Sequence, residues 1–130
     1  MDCKRAFEEA EGDLERARKI IREKGLLKAA KKGDRETGAG YLEAYIHAGR
    51  IGVLLEMRAE TDFVTRNDKF KTLAHELAMQ IAATGAETKD ELLKQLFIKD
   101  EKITIEELIK SAIAEIGENI EIGRFIRYEI

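Results

Sequence analysis

The chain has 130 residues, 44% of them apolar and 38% charged, the size of one ordinary domain with room for a single core and a small helical appendage. Its 23 basic and 26 acidic side chains leave a net charge of −3, which gives no global electrostatic case for DNA, RNA or an anionic membrane as the main partner. No apolar run is long enough to span a bilayer, and MDCKRAFEEAEGD carries acids where a signal peptide needs an apolar stretch, so the expected setting is cytoplasmic.

From Met1 to about Gly33 the composition is helical. Asp2 can cap a short helix with an apolar face of Cys3, Ala6, Phe7 and Ala10, and Gly12-Asp13 restarts the chain. A second helix buries Leu14, Ala17, Ile20 and Ile21, carries Arg22 and Lys24 in its last turn and is expected to stop at Gly25, with Leu26 to Lys32 as a further short helical stretch. Short helices of this kind must dock on something to be stable. GDRETGAG, residues 33–40, holds three glycines and no apolar anchor, and predicts a flexible linker between a helical segment 1–32 and a core 41–130.

Beyond the linker the apolar period changes to two. Leu42, Ala44 and Ile46 alternate with Tyr41, Glu43 and Tyr45; His47-Ala48-Gly49-Arg50 supplies a turn; Ile51, Val53, Leu55 and Met57 then alternate with Gly52, Leu54 and Glu56. This pattern predicts a β-hairpin. A loop through Glu60, Thr61, Asp62, Phe63 and Val64 leads to a helix with a core-facing stripe of Phe70, Leu73, Ala74, Leu77 and Ile81, closed by Gly85. Thr88-Lys89-Asp90-Glu91 and Thr104-Ile105-Glu106-Glu107 have the spacing of capping boxes and each starts a helix. The second runs to Gly117, and Ile120 to Ile130 reads as a final strand. The expected fold is α+β: a three-stranded antiparallel sheet with helices on one face, preceded by the small helical appendage.

The residue types needed for most catalytic constellations are scarce. There are two histidines, His47 and His75, one serine, Ser111, and one cysteine, Cys3, so a disulfide within the chain and a thiolate-rich zinc site are excluded. His75-Glu76-Leu77-Ala78-Met79 begins like a zincin helix but has Met79 where a second imidazole is required. No glycine-rich phosphate loop occurs, and Ser111 has no histidine near in sequence. Neither a metal nor a cofactor is expected. The loop Glu60 to Asn67 is the exception, because an aromatic and an aliphatic residue follow an acid at the entrance to a helix. Either Phe63 plugs the domain's own core while Thr61 and Asp62 make turn hydrogen bonds, or Phe63 is an exposed anchor for a partner protein.

At this loop the sequence resembles the elongation factor Ts family, the guanine-nucleotide exchange factors of translation elongation factor Tu. The resemblance extends over MDCKRAFEEAEGDLERARKIIREKGLLKAAKK, YIHAGRIGVLLEMRAETDFVTRN, FKTLAHELAMQIAA, QLFIKD and IGENIEIGRFIRYEI, in the family's order. It implies that residues 1–32 are a partial ubiquitin-associated-like module in which Met1 falls where the second helix begins. It implies also that 41–130 are a short version of the core, with only residues 84–96 where the family carries a longer stretch. The implied activity is non-enzymatic: the core binds elongation factor Tu, Asp62 and Phe63 are the operative pair beside Thr61 and Val64, and Met1 matches a further partner contact. Short-core relatives are expected to form homodimers, so pairing of two copies through the sheet is the alternative or additional role.

Overall fold

A computed structural model of the chain describes residues 14–130. The short helix expected from Asp2, and Met1 with it, lie outside the described residues.

Helix α1 (Leu14–Lys32) is a single helix of 19 residues, where the sequence predicts a stop at Gly25. A Cβ added to Gly25 would sit 3.5 Å from the Cβ of Ala114, so the glycine marks a close approach to a second helix. Docking along this line offsets the roughly 1 kcal/mol that glycine costs inside a helix. Ala29 belongs to the main core cluster, while Ala17 packs with Ile20 and Ile21. The following residues are tied down as well, since the buried Asn119 donates from Nδ2 to the carbonyls of Gly33 and Arg35 at 3.3 and 2.9 Å. The last two residues assigned to the linker, Ala39 and Gly40, belong to the first strand.

Strands β1 (Ala39–His47) and β2 (Ile51–Ala59) form the expected hairpin, and β5 (Ile120–Glu129) pairs antiparallel with the other side of β2, giving the order β1-β2-β5. The hairpin turn places both Ala48 and Gly49 at positive φ, 53° and 67°, the geometry that suits right-twisted strands. Ala48 is the strained member, because a Cβ in the left-handed region crowds the following carbonyl. Ala48→Asn is expected to raise stability by about 1 kcal/mol, read as a higher melting temperature; an unchanged or lower one would refute the strain.

Register decides which face of the sheet is covered. Tyr41, Glu43 and Tyr45 lie opposite Met57, Leu55 and Val53, and Val53, Leu55, Met57 and Ala59 are buried. The other face holds Leu42, Ala44, Ile46, Leu54, Ile126 and Tyr128, all exposed. Over the inner face lies α3 (Asp68–Thr84), with Phe70, Leu73, Ala74, Leu77 and Ile81 buried as the stripe predicts. Asn67 caps its start, and Gly85 closes it at φ 71°. Arg127 of β5 donates from Nε and Nη2 to the Ala82 carbonyl near its end.

Helix α4 (Lys89–Lys94) and helix α5 (Ile105–Ile116) start where the two Thr-x-x-Glu sequences place them. Only Thr104 and Glu107 form the reciprocal box; the Glu91 carboxylate accepts instead from the Glu87 N–H at 3.2 Å. Between these helices lies a small ladder that the sequence analysis does not predict, β3 (Leu96–Phe97) with β4 (Asp100–Thr104). The fully buried Gln80 holds it by donating to the Leu96 carbonyl and accepting from the Ile98 N–H, both at 3.0 Å. α5 buries Ile105, Ile109 and Ile113 in the same core and carries α1 on another side.

β5 bulges where Gly123 and Arg124 face Glu56, with the register shifting between Leu55 and Met57. Any Cβ at Gly123 would collide with the Glu56 carboxylate. That carboxylate accepts from the Arg124 N–H at 3.2 Å and from its guanidinium at 3.4 Å. The backbone bond first, then the guanidinium, hold the Glu56 carboxyl below the usual carboxylate range. Because the folded value is the lower one, this contribution to stability is complete above the ordinary carboxylate range and is lost as pH falls through the depressed value. Glu56→Gln is therefore expected to flatten the acid limb of a melting-temperature profile; an acid limb identical to wild type would refute the assignment.

Candidate functional site

β2 ends at Ala59 and the chain turns at Glu60 and Thr61. The segment that follows, expected as a loop, is one turn of helix, α2 (Asp62–Thr65). Thr61 caps it with an extended backbone and a hydroxyl that accepts from the Val64 N–H at 3.4 Å, and the Thr65 hydroxyl donates to the Asp62 carbonyl at 2.9 Å.

The turn divides its residues sharply between core and solvent. Val64 and Thr65 are 5% and 6% exposed, whereas Phe63 is 83% exposed and Asp62 projects into solvent beside it. Phe63 therefore does not plug the core. Val64, grouped with Asp62 and Phe63 as a partner-facing residue, is instead the internal anchor of the turn. A helical turn of four residues must send successive side chains to different sides, and here the aliphatic one goes inward.

Glu118 and Asn119, distant in the chain, brace the turn together with its own Glu60. Glu118, just beyond α5, accepts from the Thr61 N–H at 3.0 Å and from the Thr61 hydroxyl at 2.8 Å. Glu60 accepts from the Asn119 N–H at 2.6 Å and lies 3.6 Å from the Arg35 guanidinium. Glu118 and Asn119 carry little signal in the sequence, because their partners are 57 and 59 residues away; what is local to them is a helix-stopping Gly117 followed by two polar residues.

The two histidines flank the same tyrosine on the sheet, apart from the turn and from Ser111. His75 is half exposed, 3.8 Å from Glu43 and edge-on to Tyr45, and His47 is exposed against the Tyr45 hydroxyl. Ser111 lines a groove between α1 and α5 with Arg18, Arg22 and Ala114, and no histidine is among the described residues that line it. Among the described residues no cluster of three metal-ligating side chains occurs, and no helix is long and apolar enough to cross a membrane.

The α+β scaffold thus presents Phe63, a braced and solvent-exposed aromatic, beside Asp62, the kind of loop feature on which protein-binding surfaces are built. The family model described as Elongation factor TS matches residues 60–130, a span that begins at this turn. The whole chain is 47% identical over 131 aligned positions to elongation factor Ts of Nostoc sp., of which it spans 41%. It is 42% identical to elongation factor Ts of Carboxydothermus hydrogenoformans and 40% identical to that of Fervidobacterium nodosum, spanning 81% and 89% of them. The last two alignments run over 176 positions, so those proteins carry residues with no counterpart in this chain. The chain belongs to the elongation factor Ts family.

Proposed function

We propose that the chain is a guanine-nucleotide exchange factor that binds elongation factor Tu carrying GDP and promotes GDP release through the Asp62-Phe63 turn. The observation that carries this reading is Phe63 itself, a large apolar side chain left 83% exposed on a turn whose neighbours are buried or hydrogen-bonded. Water around such a ring is unfavourable, and inserting it between elements of a partner recovers that free energy. Asp62 orients the approach and Thr61 holds the base of the turn, while Met1 is a further contact implied by the family resemblance. No covalent chemistry is required. By linkage, a factor that favours the nucleotide-free GTPase weakens nucleotide binding by the same ratio by which nucleotide weakens its own.

The test is release of a fluorescent GDP analogue from elongation factor Tu with and without the protein. Acceleration is expected, and none from the folded wild-type chain overturns the reading.

A second role has its own observation. The uncovered sheet face carries Leu42, Ile46, Leu54, Ile126 and Tyr128, between 42% and 71% exposed, and cross-strand pairing sets Leu54 directly beside Ile126. A contiguous apolar face of this kind marks an interface, and a second copy supplies a matching surface by two-fold symmetry. Light scattering is expected to give a dimer that Leu54→Lys converts to monomer; a monomeric wild type at high concentration refutes pairing.

A further inference from the structure

We infer that Glu118 is a positioning residue for the exposed turn, setting the direction in which Phe63 leaves the surface. The inference rests on the reading that this turn engages a partner. The Phe63 ring is 83% exposed, so packing fixes little of it. The turn is too short to hold itself: a single helical turn fixes many torsions for few hydrogen bonds, and its bond from the Thr65 N–H to the Thr61 carbonyl is long, 3.4 Å. Val64 and Thr65 pin the inner side of the turn to the core, and the anchor of its first residue sets how the turn is rotated about that point.

That anchor is a reciprocal bracket between two chain turns. Glu118 takes both donors of Thr61, at 3.0 and 2.8 Å, and Glu60 takes the N–H of Asn119, at 2.6 Å. Two consecutive residues of one turn are thus bonded one to one with two consecutive residues of the other, Thr61 with Glu118 and Glu60 with Asn119. Gly117 makes the crossing possible, because its φ of 94° ends α5 abruptly and sends Glu118 back toward β2. The bracket is itself immobilised, as Asn119 is 2% exposed and its amide holds the carbonyls of Gly33 and Arg35. Bonds to an ionised acceptor are the stronger kind, so one carboxylate fixes both the backbone and the side chain of the residue that caps α2.

The experiment pairs hydrogen exchange of the free protein with GDP release from elongation factor Tu, for wild type, Glu118→Ala, Glu118→Gln, Thr61→Val and the Thr61→Val/Glu118→Ala double variant. Glu118→Ala is expected to speed amide exchange of residues 62–65 about tenfold or more while amides of α3 keep their protection. The same variant should need about tenfold more protein for the same acceleration of release. Glu118→Gln, which keeps an acceptor for the Thr61 N–H, is expected to restore much of both, and the double variant should be worse than either single one by clearly less than the sum of their effects, because both remove the same Thr61 hydroxyl bond. Unchanged exchange of residues 62–65 in folded Glu118→Ala overturns the inference. So does additivity in the double variant. A wild type that fails to accelerate release overturns the exchange-factor reading instead and removes Glu118's part in partner binding, while the amide data still report whether it holds the turn.

Discussion

Replacing Phe63 by alanine is expected to leave the stability of the protein within about 0.5 kcal/mol of wild type and to weaken productive binding to elongation factor Tu by about 2–4 kcal/mol. The two halves of this result have one cause. A ring that is 83% exposed gains little from folding, so its loss leaves neither a cavity nor an unpaired polar group. In a complex the same ring would be the most deeply desolvated group of the turn, which is where interface free energy concentrates. The measurement is a titration of GDP release against protein concentration, with a melting curve of the variant beside it. A loss of stability of several kcal/mol would show that Phe63 belongs to the fold, and unaltered release would show that another surface carries the activity.

Phe70→Ala, seven residues along, should give the opposite pattern. Phe70 is fully buried at the start of α3, with its ring edge-on to Tyr41 at a centroid distance of 5.9 Å. Truncation removes the transfer free energy of the ring and leaves a cavity that the sheet and α3 cannot close, together costing about 3–5 kcal/mol. For a domain whose total stability is about 5–15 kcal/mol, this is a large share, and the melting temperature is expected to fall by about 10–20 °C. Urea unfolding followed by circular dichroism measures it. The activity per folded molecule should persist at low temperature, since Phe70 faces away from the turn's solvent side; a variant that melts like wild type would refute the core assignment.

How legible each part was in the sequence depends on how local its causes are. The stripe of α3, its Asn67 cap and Gly85 stop, the Thr104 capping box and the hairpin turn are written within a few residues of where they act. Gly25 reads locally as a helix end, yet contact with Ala114, 89 positions on, carries the helix through it. β1 alternates Leu42, Ala44 and Ile46 with two tyrosines and a glutamate, so both faces are partly apolar; only the pairing of Tyr41 with Met57 and of Tyr45 with Val53 settles which is inside. The β3–β4 ladder depends on the side chain of Gln80, held from another element. At the candidate site the sequence draws attention to Asp62 and Phe63, but not to the inward turn of Val64 or to Glu118. Those follow from tertiary pairing, which has no period to read.

The strand order β1-β2-β5 has a consequence for synthesis. The central strand β2 is made early, but its second neighbour, β5 (Ile120–Glu129), comes only after all the helices and the small ladder that follow β2. Until those residues emerge from the ribosome, one edge of β2 offers unpaired backbone groups and the inner face of the sheet lacks Ile120 and Ile122, both buried in the finished core. Folding during synthesis is therefore expected to wait at an open hairpin until β5 is available to pair, a non-local step of the slow kind. A nascent chain halted before Ile120 would present that edge to chaperones or to other stalled chains.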